Sequence, residues 1–288
     1  MSGFFDRHTP FLVQDIWGDF AHFHTRRCQE YGTNIVGGIA PRARRAHFCG
    51  IPLFSSVKEA KSEVKCAATM IFTPPRQAKQ ALLDAIAAQI PLIVCCTEGI
   101  ARRDMLFVKE ALKKSTSCLI GPSAAGLISP GEALAGLLPI DLYKAGSLGV
   151  ISSSGSLACE LLVQLQERQI GVSTHISFGS DELLGSSFAD LAPKFEQDSA
   201  TQAILFLGEE VDAMDVMWER YLAMRRSKPL GVYIAKKDFV SYAQFSKEDP
   251  FCSHSRVDSL LEKSGIAKIE SLSCLGDLAA QLLKENTC

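Results

Sequence analysis

The chain has 288 residues, enough for two domains of ordinary size, and its formal net charge at neutral pH is -2. So balanced a charge gives no electrostatic basis for binding nucleic acid or an anionic membrane surface. Hydrophobic residues make up 47% of the sequence and the mean hydropathy is +0.11, which indicates a large buried core. No apolar run approaches the roughly 20 residues that a membrane-spanning helix needs.

The cysteines indicate a reducing compartment. Cys95 and Cys96 lie within an apolar run, and Cys66 and Cys118 adjoin or lie in similar runs, so we interpret them as small buried hydrophobic residues. No two cysteines have the spacing Cys-x-x-Cys, so the sequence predicts no zinc site and no metal in this chain. The N-terminal segment is charged and lacks a long apolar core, so we expect no signal peptide and a cytoplasmic protein.

Short apolar runs alternate with helical patterns in the first half of the chain. The runs predict strands at 11–14, 34–38, 66–72, 92–96 and 118–120, and the patterns predict helices at 57–64, 76–88 and 104–114. Met105, Val108 and Leu112, for example, recur at the spacing of one helix face. This alternation is typical of βαβ units, in which helices cover both faces of a parallel sheet.

A second alternation follows residues 126–146, which contain Pro130 and Pro139, show little periodicity and are therefore expected to form a connector. Beyond this segment, strands are predicted at 148–152, 173–178, 203–208, 230–235 and 267–270, and helices at 156–168, 187–195, 213–225, 256–263 and 275–284. The sequence thus predicts an α/β protein with one domain over residues 1–125 and a second over residues 147–288.

In open parallel sheets, ligands bind beyond the carboxyl ends of the strands, where helix N-termini direct amides at anions. The first such turn, residues 14–21, stands where a Gly-x-x-Gly-x-x-Gly phosphate cradle would be, but only Gly18 is a glycine. Asp15 and Asp19 add negative charge there, so the turn alone favours an ordinary βα connection. The turn after the second predicted strand contains arginines at 42, 44 and 45, which could bind phosphates or form a solvated basic loop. Thr97 and Glu98 follow a later strand of the same domain.

In the second half, Ser154, Gly155 and Ser156 lead directly into a predicted helix, where they could form an anion site or a simple N-cap. Glu209 ends a predicted strand and is interpreted as solvated, because no histidine is near it in sequence. His175 lies on a predicted strand and is interpreted as a core histidine. Nucleophile-elbow, zinc-protease and Walker motifs are absent from the sequence.

Taken in order, several short segments form a recognisable series. They are Tyr31-Gly32-Thr33 with Val36-Gly37-Gly38, Gly50-Ile51-Pro52-Leu53-Phe54, Thr97-Glu98-Gly99-Ile100, Ile120-Gly121-Pro122, Ile128-Ser129-Pro130-Gly131-Glu132, Ser154-Gly155-Ser156-Leu157 and Gly208-Glu209. This series resembles the alpha subunit of succinyl-CoA synthetase and its NDP-forming acyl-CoA synthetase relatives. The resemblance covers nearly the whole chain.

The resemblance implies an N-terminal Rossmann-like CoA-binding domain followed by a flavodoxin-like, doubly wound domain. In this family an ATP-grasp beta subunit is the partner, a histidine of the alpha subunit carries phosphate to a carboxylate substrate, and CoA then displaces the phosphate. By position, the family's CoA contacts fall on Trp17, Gly18, Asp19, Phe20, Ala43, Cys96, Thr97 and Glu98. The family's lysine is replaced by Ala43, and its first-loop lysine and glutamine by Asp19 and Phe20, so we expect any CoA binding to be weakened.

The resemblance also assigns phosphate binding to Ser154, Gly155 and Ser156, and support of the imidazole to Glu209. The family's Gly-His-Ala-Gly motif, however, falls on residues 241–244, where Tyr242 takes the place of the phosphohistidine and both glycines are lost. A phosphate carrier needs an imidazole nitrogen that accepts and releases phosphate near neutral pH.

We therefore expect a diverged alpha-type subunit that cannot run the phosphohistidine cycle and acts as a CoA-binding, anion-binding or regulatory partner. Its expected associate is an ATP-grasp beta-type chain or a second copy of itself, through helix 213–225 and segment 238–254. Two alternatives remain open. One is an active succinate–CoA ligase type of subunit with a displaced carrier such as His254, and the other is a different transferase chemistry on the same fold.

Overall fold

The computed structural model describes residues 4–41, 46–209, 214–224, 227–235, 260–264, 266–269 and 271–285. Within these ranges the chain forms two sheets of seven strands each. Both consist mainly of parallel strands with helices packed against them, as the alternation of apolar runs and helical patterns predicts.

The first sheet and its helices come from the N-terminal half of the chain. The strands are β1 (Phe11–Gln14), β2 (Ile35–Ile39), β3 (His47–Phe48), β4 (Ile51–Phe54), β5 (Ala68–Ile71), β6 (Leu92–Cys95) and β7 (Cys118–Ile120), and the helices are α1 (Asp19–Tyr31), α2 (Val57–Glu63), α3 (Pro75–Ala87) and α4 (Arg102–Leu112). Local sequence sets several ends. Pro75 occupies the first turn of α3, and Gly32, with a φ of 109°, ends α1 in the left-handed conformation.

The strand order of the first sheet is β3-β4-β2-β1-β5-β6-β7. All neighbouring strands are parallel except the β3–β4 pair. Successive residues of β1 face opposite sides, so Phe11 and Val13 belong to one apolar cluster and Leu12 to another. Because helices cover both sides, the central strands are buried on both faces and appear in sequence as continuous apolar runs.

The second sheet follows directly in the chain. Its strands are β8 (Gly126–Ser129), β9 (Ala133–Gly136), β10 (Ala145–Ser152), β11 (Val172–Ser177), β12 (Ala203–Glu209), β13 (Leu230–Ala235) and β14 (Ala267–Ile269), and its helices are α5 (Gly155–Glu167), α6 (Phe188–Gln197), α7 (Met214–Leu222) and α8 (Leu275–Glu285). The strand order is β14-β13-β12-β10-β11-β8-β9. Strands β10 to β14 pair in parallel, whereas β8 pairs antiparallel with both β11 and β9.

The segment 126–146, which the sequence predicts to be a connector, therefore supplies the edge hairpin β8–β9 of the second sheet. Close backbone contact explains the glycines at its ends. A Cβ added at Gly126 would lie 2.1 Å from the carbonyl oxygen of Ala135, and Gly126 has a φ of 103°. Each strand of the hairpin has only four residues, too few for an alternating pattern to emerge from the sequence.

The hairpin joins the two halves of the molecule. The hydroxyl of Thr33, after α1, bonds to the backbone of Leu134 in β9, and Arg7 makes a two-point contact with the carboxylate of Glu132 in the hairpin turn. One apolar cluster contains Val13 of the first sheet and Ile176 of the second. The two sheets thus share part of one core.

Three elements of the first domain, α1, β3 and β4, were not predicted from apolar patterning. Helix α1 has a polar sequence whose buried face includes Ala21, Thr25 and Cys28, so its apolar periodicity is weak. Strands β3 and β4 are short and mostly half-exposed. Every strand that was predicted from the sequence, in either domain, matches an observed strand, and the predicted and observed ends differ by no more than three residues.

Candidate functional site

The turn between β1 and α1 is shaped by Asp15 and Gly18. Asp15 adopts a φ of 60°, and its carbonyl oxygen accepts a hydrogen bond from the Gly18 amide at 3.3 Å. The Asp15 side chain is half-buried, and this burial raises the pKa of its carboxyl group. Gly18 itself is extended, and a Cβ added there would meet only the Asp15 carbonyl oxygen at 3.8 Å. The turn therefore does not require a glycine at position 18.

Aromatic side chains cover much of the surface of this turn. Trp17 is 38% exposed and its ring lies 4.7 Å from that of Phe48 in β3, whereas Phe20 is 55% exposed and contacts the rings of His24 and Phe72. A Gly-rich cradle offers backbone amides to phosphate because no side chains intervene. Here bulky apolar rings border the same position.

Asp19 is exposed and is the first residue of α1. A carboxylate in the first turn of a helix interacts favourably with the partial positive charge of the helix N-terminus. This is the interaction that a bound phosphate would otherwise make. A phosphate placed at this helix N-terminus would therefore face the negative charge of Asp19.

At the end of β6 the predicted contact residues differ in accessibility. Cys96 and Thr97 are buried, and the Thr97 hydroxyl donates a hydrogen bond to the carbonyl oxygen of Thr73 at 2.7 Å. Glu98 is exposed. Burial raises the pKa of the Cys96 thiol well above its usual value, so this sulfur stays protonated and is a poor nucleophile.

The N-terminus of α5 carries the predicted phosphate-binding residues. Ser154 is the N-cap residue but its side chain makes no capping hydrogen bond, and its hydroxyl lies 3.1 Å from that of Ser156. Gly155 and Ser156 are exposed. A simple N-cap would use the Ser154 hydroxyl to satisfy a backbone amide of the first turn. The observed geometry instead leaves that end of the helix with two hydroxyls, a composition suited to an anion.

The carboxyl ends of the two sheets meet at residues 121–125. The Ser123 amide donates to the carbonyl oxygen of Thr97 at 3.0 Å, and a Cβ added at Gly155 would lie 3.9 Å from the Cβ of Ala125. The backbone of Gly179, after β11, packs directly against the carbonyl oxygen of Pro122, which its φ of 91° permits. The β6 turn and the start of α5 therefore both adjoin residues 121–125.

A buried polar chain lies beneath the α5 turn. His175 is completely buried, and its two ring nitrogens bond to the hydroxyls of Tyr143 and of Ser152, the latter at 2.8 Å. Burial lowers the pKa of His175 to about 3, so the ring is neutral. The prediction that His175 is a core histidine is confirmed. Its two partners are distant in sequence, so no sequence pattern indicates them.

Several predicted site positions cannot be placed. Ala43 with its neighbouring arginines, and Tyr242, lie outside the described residues. Glu209 is the last residue of β12, where its backbone pairs with Ala235. Across the described ranges, no group of three or more His, Cys, Asp or Glu side chains is arranged to hold a metal ion. Nor does any described helix combine the length and hydrophobicity needed to cross a membrane.

Comparison with known proteins gives matches over both domains. Residues 13–99 match the family model of the CoA binding domain, and residues 145–282 match that of the succinyl-CoA ligase like flavodoxin domain. The malate–CoA ligase subunit alpha of Methylorubrum extorquens is 38% identical over 82% of this chain and 81% of its own length. The succinate–CoA ligase [ADP-forming] subunit alpha of Aquifex aeolicus is 34% identical over 97% of this chain and 94% of its own length.

Solved structures share the fold at lower identity. An ATP citrate lyase from Methanothrix soehngenii, in complex with citrate and coenzyme A, superposes with a TM-score of 0.82 at 20% identity, covering 98% of this chain and 50% of that chain. An acetyl-coenzyme A synthetase from Ca. Korarchaeum cryptofilum gives a TM-score of 0.76 at 20% identity, covering 96% and 61%. The matches to both family models and the extended identity to alpha subunits show that this chain belongs to the succinyl-CoA ligase alpha-subunit family, with a CoA-binding domain followed by a flavodoxin-like ligase domain.

Proposed function

We propose that this chain is a diverged alpha-type subunit that keeps the two-domain framework of an acyl-CoA ligase but does not carry phosphate on a histidine. It acts as a CoA-binding, anion-binding or regulatory partner of an ATP-grasp beta-type chain. We assign it to the cytoplasm, because the cysteines within the described ranges are free thiols, as a reducing compartment favours.

The residue that carries this proposal is Tyr242, which the resemblance assigns to the family's phosphohistidine position. An imidazole accepts and releases phosphate near neutral pH, whereas a phenol forms a far more stable phosphate ester. The next histidine, His254, lies twelve positions further along the chain. Loss of both flanking glycines also removes the backbone freedom that lets such a loop approach a phosphate closely.

The first turn supports weakened rather than normal CoA binding. Asp15 and Asp19 put two carboxyl groups around the start of α1, and the exposed rings of Trp17 and Phe20 border it. Like charges brought together across an interface cost several kcal/mol. The arginines near Ala43 offset part of this repulsion by attracting the ligand's phosphates.

An active acyl-CoA ligase subunit is the second candidate. The relatives named malate–CoA and succinate–CoA ligase subunits are 38% and 34% identical to this chain. The α5 N-terminus, where Ser154 makes no capping bond, supports a retained phosphate site. In this version another residue, such as His254, carries the phosphate, or the acyl phosphate forms directly.

Phosphorylation by a partner separates the two candidates. The chain is purified with a cognate ATP-grasp subunit, incubated with radiolabelled ATP, and split into acid-treated and untreated samples. We expect no acid-labile label on the wild-type chain. A His254→Asn variant serves as the control for the displaced-carrier candidate, and a stoichiometric acid-labile label that this variant loses would establish the active candidate instead.

A further inference from the structure

Cys49 and His22 form a thiol–imidazole pair at the surface of the first domain. Cys49 lies in the turn between β3 and β4, and His22 lies in the first half of α1. Their side chains come from different elements, yet the Nε2 atom of His22 lies 3.2 Å from the Sγ atom of Cys49. An imidazole at this distance is placed to take the proton of the thiol.

The pair is accessible and is bordered by aromatic rings. Cys49 is exposed, and His22 is only half-buried. The ring of Phe48 packs 4.9 Å from the His22 ring and 4.7 Å from that of Trp17, which is itself exposed. A planar, apolar group attached to Cys49 would therefore find aromatic rings beside it.

The other cysteines of the described ranges lack this combination. Cys28 and Cys95 are completely buried, and burial raises the pKa of each thiol to about 11. Cys274 is exposed like Cys49, but its thiol lies 3.9 Å from the hydroxyl of Ser273 rather than beside an imidazole. Exposure and a neighbouring base are the two conditions that make a cysteine reactive, and Cys49 meets both.

We propose that Cys49 is a modification site that reacts with small disulfides, with His22 as its general base. His22 accepts the thiol proton, and the Cys49 thiolate attacks one sulfur of the disulfide. A new sulfur–sulfur bond to Cys49 forms as the old one breaks. The departing thiolate takes up the proton, so that one protein thiol and one disulfide give one mixed disulfide and one free small thiol.

The test uses the native full-length chain and dipyridyl disulfide, a small disulfide that carries two planar aromatic rings and whose leaving group absorbs light. Stopped-flow absorbance gives the rates, and peptide mapping assigns each modified cysteine, including those outside the described ranges. We expect Cys49 to react first and at least about tenfold faster than Cys274, and His22→Asn to lower the Cys49 rate by at least about tenfold. The matched variants are Cys49→Ser, which removes the fast phase, and Cys274→Ser, which leaves it unchanged.

Two results would overturn the proposal. One is equal reactivity of Cys49 and Cys274, and the other is an unchanged Cys49 rate in the His22→Asn variant. If the His22→Asn variant melts at a lower temperature than wild type, His22→Gln replaces it. The longer glutamine side chain keeps a polar amide at this position without supplying a base. Cys28 reports on folding throughout, since labelling of this buried thiol would reveal an unfolded sample.

Discussion

Thr33 and Leu134 exchange two hydrogen bonds across the boundary between the sheets. The Thr33 hydroxyl donates to the Leu134 carbonyl oxygen at 2.6 Å and accepts from the Leu134 amide at 3.0 Å. Both residues are buried, at 5% and 0% exposure. One hydroxyl thus satisfies both backbone groups of a residue in β9, the last strand in the order of the described strands of this sheet.

Removal of this hydroxyl should destabilise the protein. Thr33→Val keeps the shape but leaves the Leu134 amide and carbonyl without these partners, so we expect the free energy of unfolding to fall by about 1–3 kcal/mol. Thr25→Val is the matched control, because the Thr25 hydroxyl donates to the carbonyl of Ala21 within the same helix α1, and we expect a loss below about 1 kcal/mol. Urea unfolding measures both. Equal losses in the two variants would contradict the bridging role.

The neutral, buried His175 should make stability depend on pH. Its pKa is about 3 in the fold against an ordinary value of 6.5, so below 6.5 the unfolded chain binds a proton that the native chain does not. Stability contributed by the neutral ring is therefore complete above 6.5 and falls by up to about 1.4 kcal/mol per pH unit as the pH drops towards 3. Urea titrations between about pH 7 and about pH 5 should give a shallower slope for His175→Gln than for wild type. Identical slopes would exclude this origin.

Reversal of one charge in the first turn should strengthen CoA binding. Asp19→Lys removes a carboxylate and adds a cation at the start of α1, so we expect CoA affinity to rise by at least about tenfold. Asp84→Lys makes the same charge change in the last turn of α3, which lies near the amino ends of the strands, away from the start of α1. We expect this variant to bind CoA with the affinity of the wild type. Calorimetry measures the CoA affinity of the wild type and of the two variants. A micromolar dissociation constant for wild type would show that the site is not weakened.

The isolated chain should form a dimer or bind an ATP-grasp partner. Around helix 213–225, Trp218 and Tyr221 are buried against Phe188, so these two rings stabilise the domain itself. Segment 238–254, the other part of the expected contact surface, lies outside the described residues. Light scattering at micromolar concentration and pull-down with a candidate ATP-grasp subunit measure the association. A strictly monomeric chain without a partner would contradict this prediction and would indicate that the chain keeps the family fold without its assembly.

Sequence patterns located the strands whose residues form an uninterrupted apolar run. The runs that became β1, β7 and β13 were predicted to the residue, because each consists almost entirely of consecutive apolar or small residues. Helix α1 and hairpin β8–β9 were not predicted. Both are stabilised by contacts from distant parts of the chain, and neither has a strong pattern of its own.

The candidate site follows the same division. The turns after β1 and β6 and before α5 could be located from the sequence, because strand and helix ends mark them. The sequence could not show which side chains are accessible at these turns. The burial of Cys96 and Thr97, for example, depends on residues 121–125, which fold back over the end of β6. The pairing of His22 with Cys49 likewise depends on the fold, because the two residues belong to different elements.

The shared hairpin restricts how the two halves of the molecule can move relative to each other. Opening the molecule by swinging one half away from the other would break the Thr33–Leu134 bonds and split an apolar cluster that contains Val13 and Ile176. Such a hinge would expose buried polar and apolar groups together, at a cost that ligand binding would have to offset. Adjustment to a ligand is therefore expected to come from the surface turns, while the angle between the sheets stays fixed.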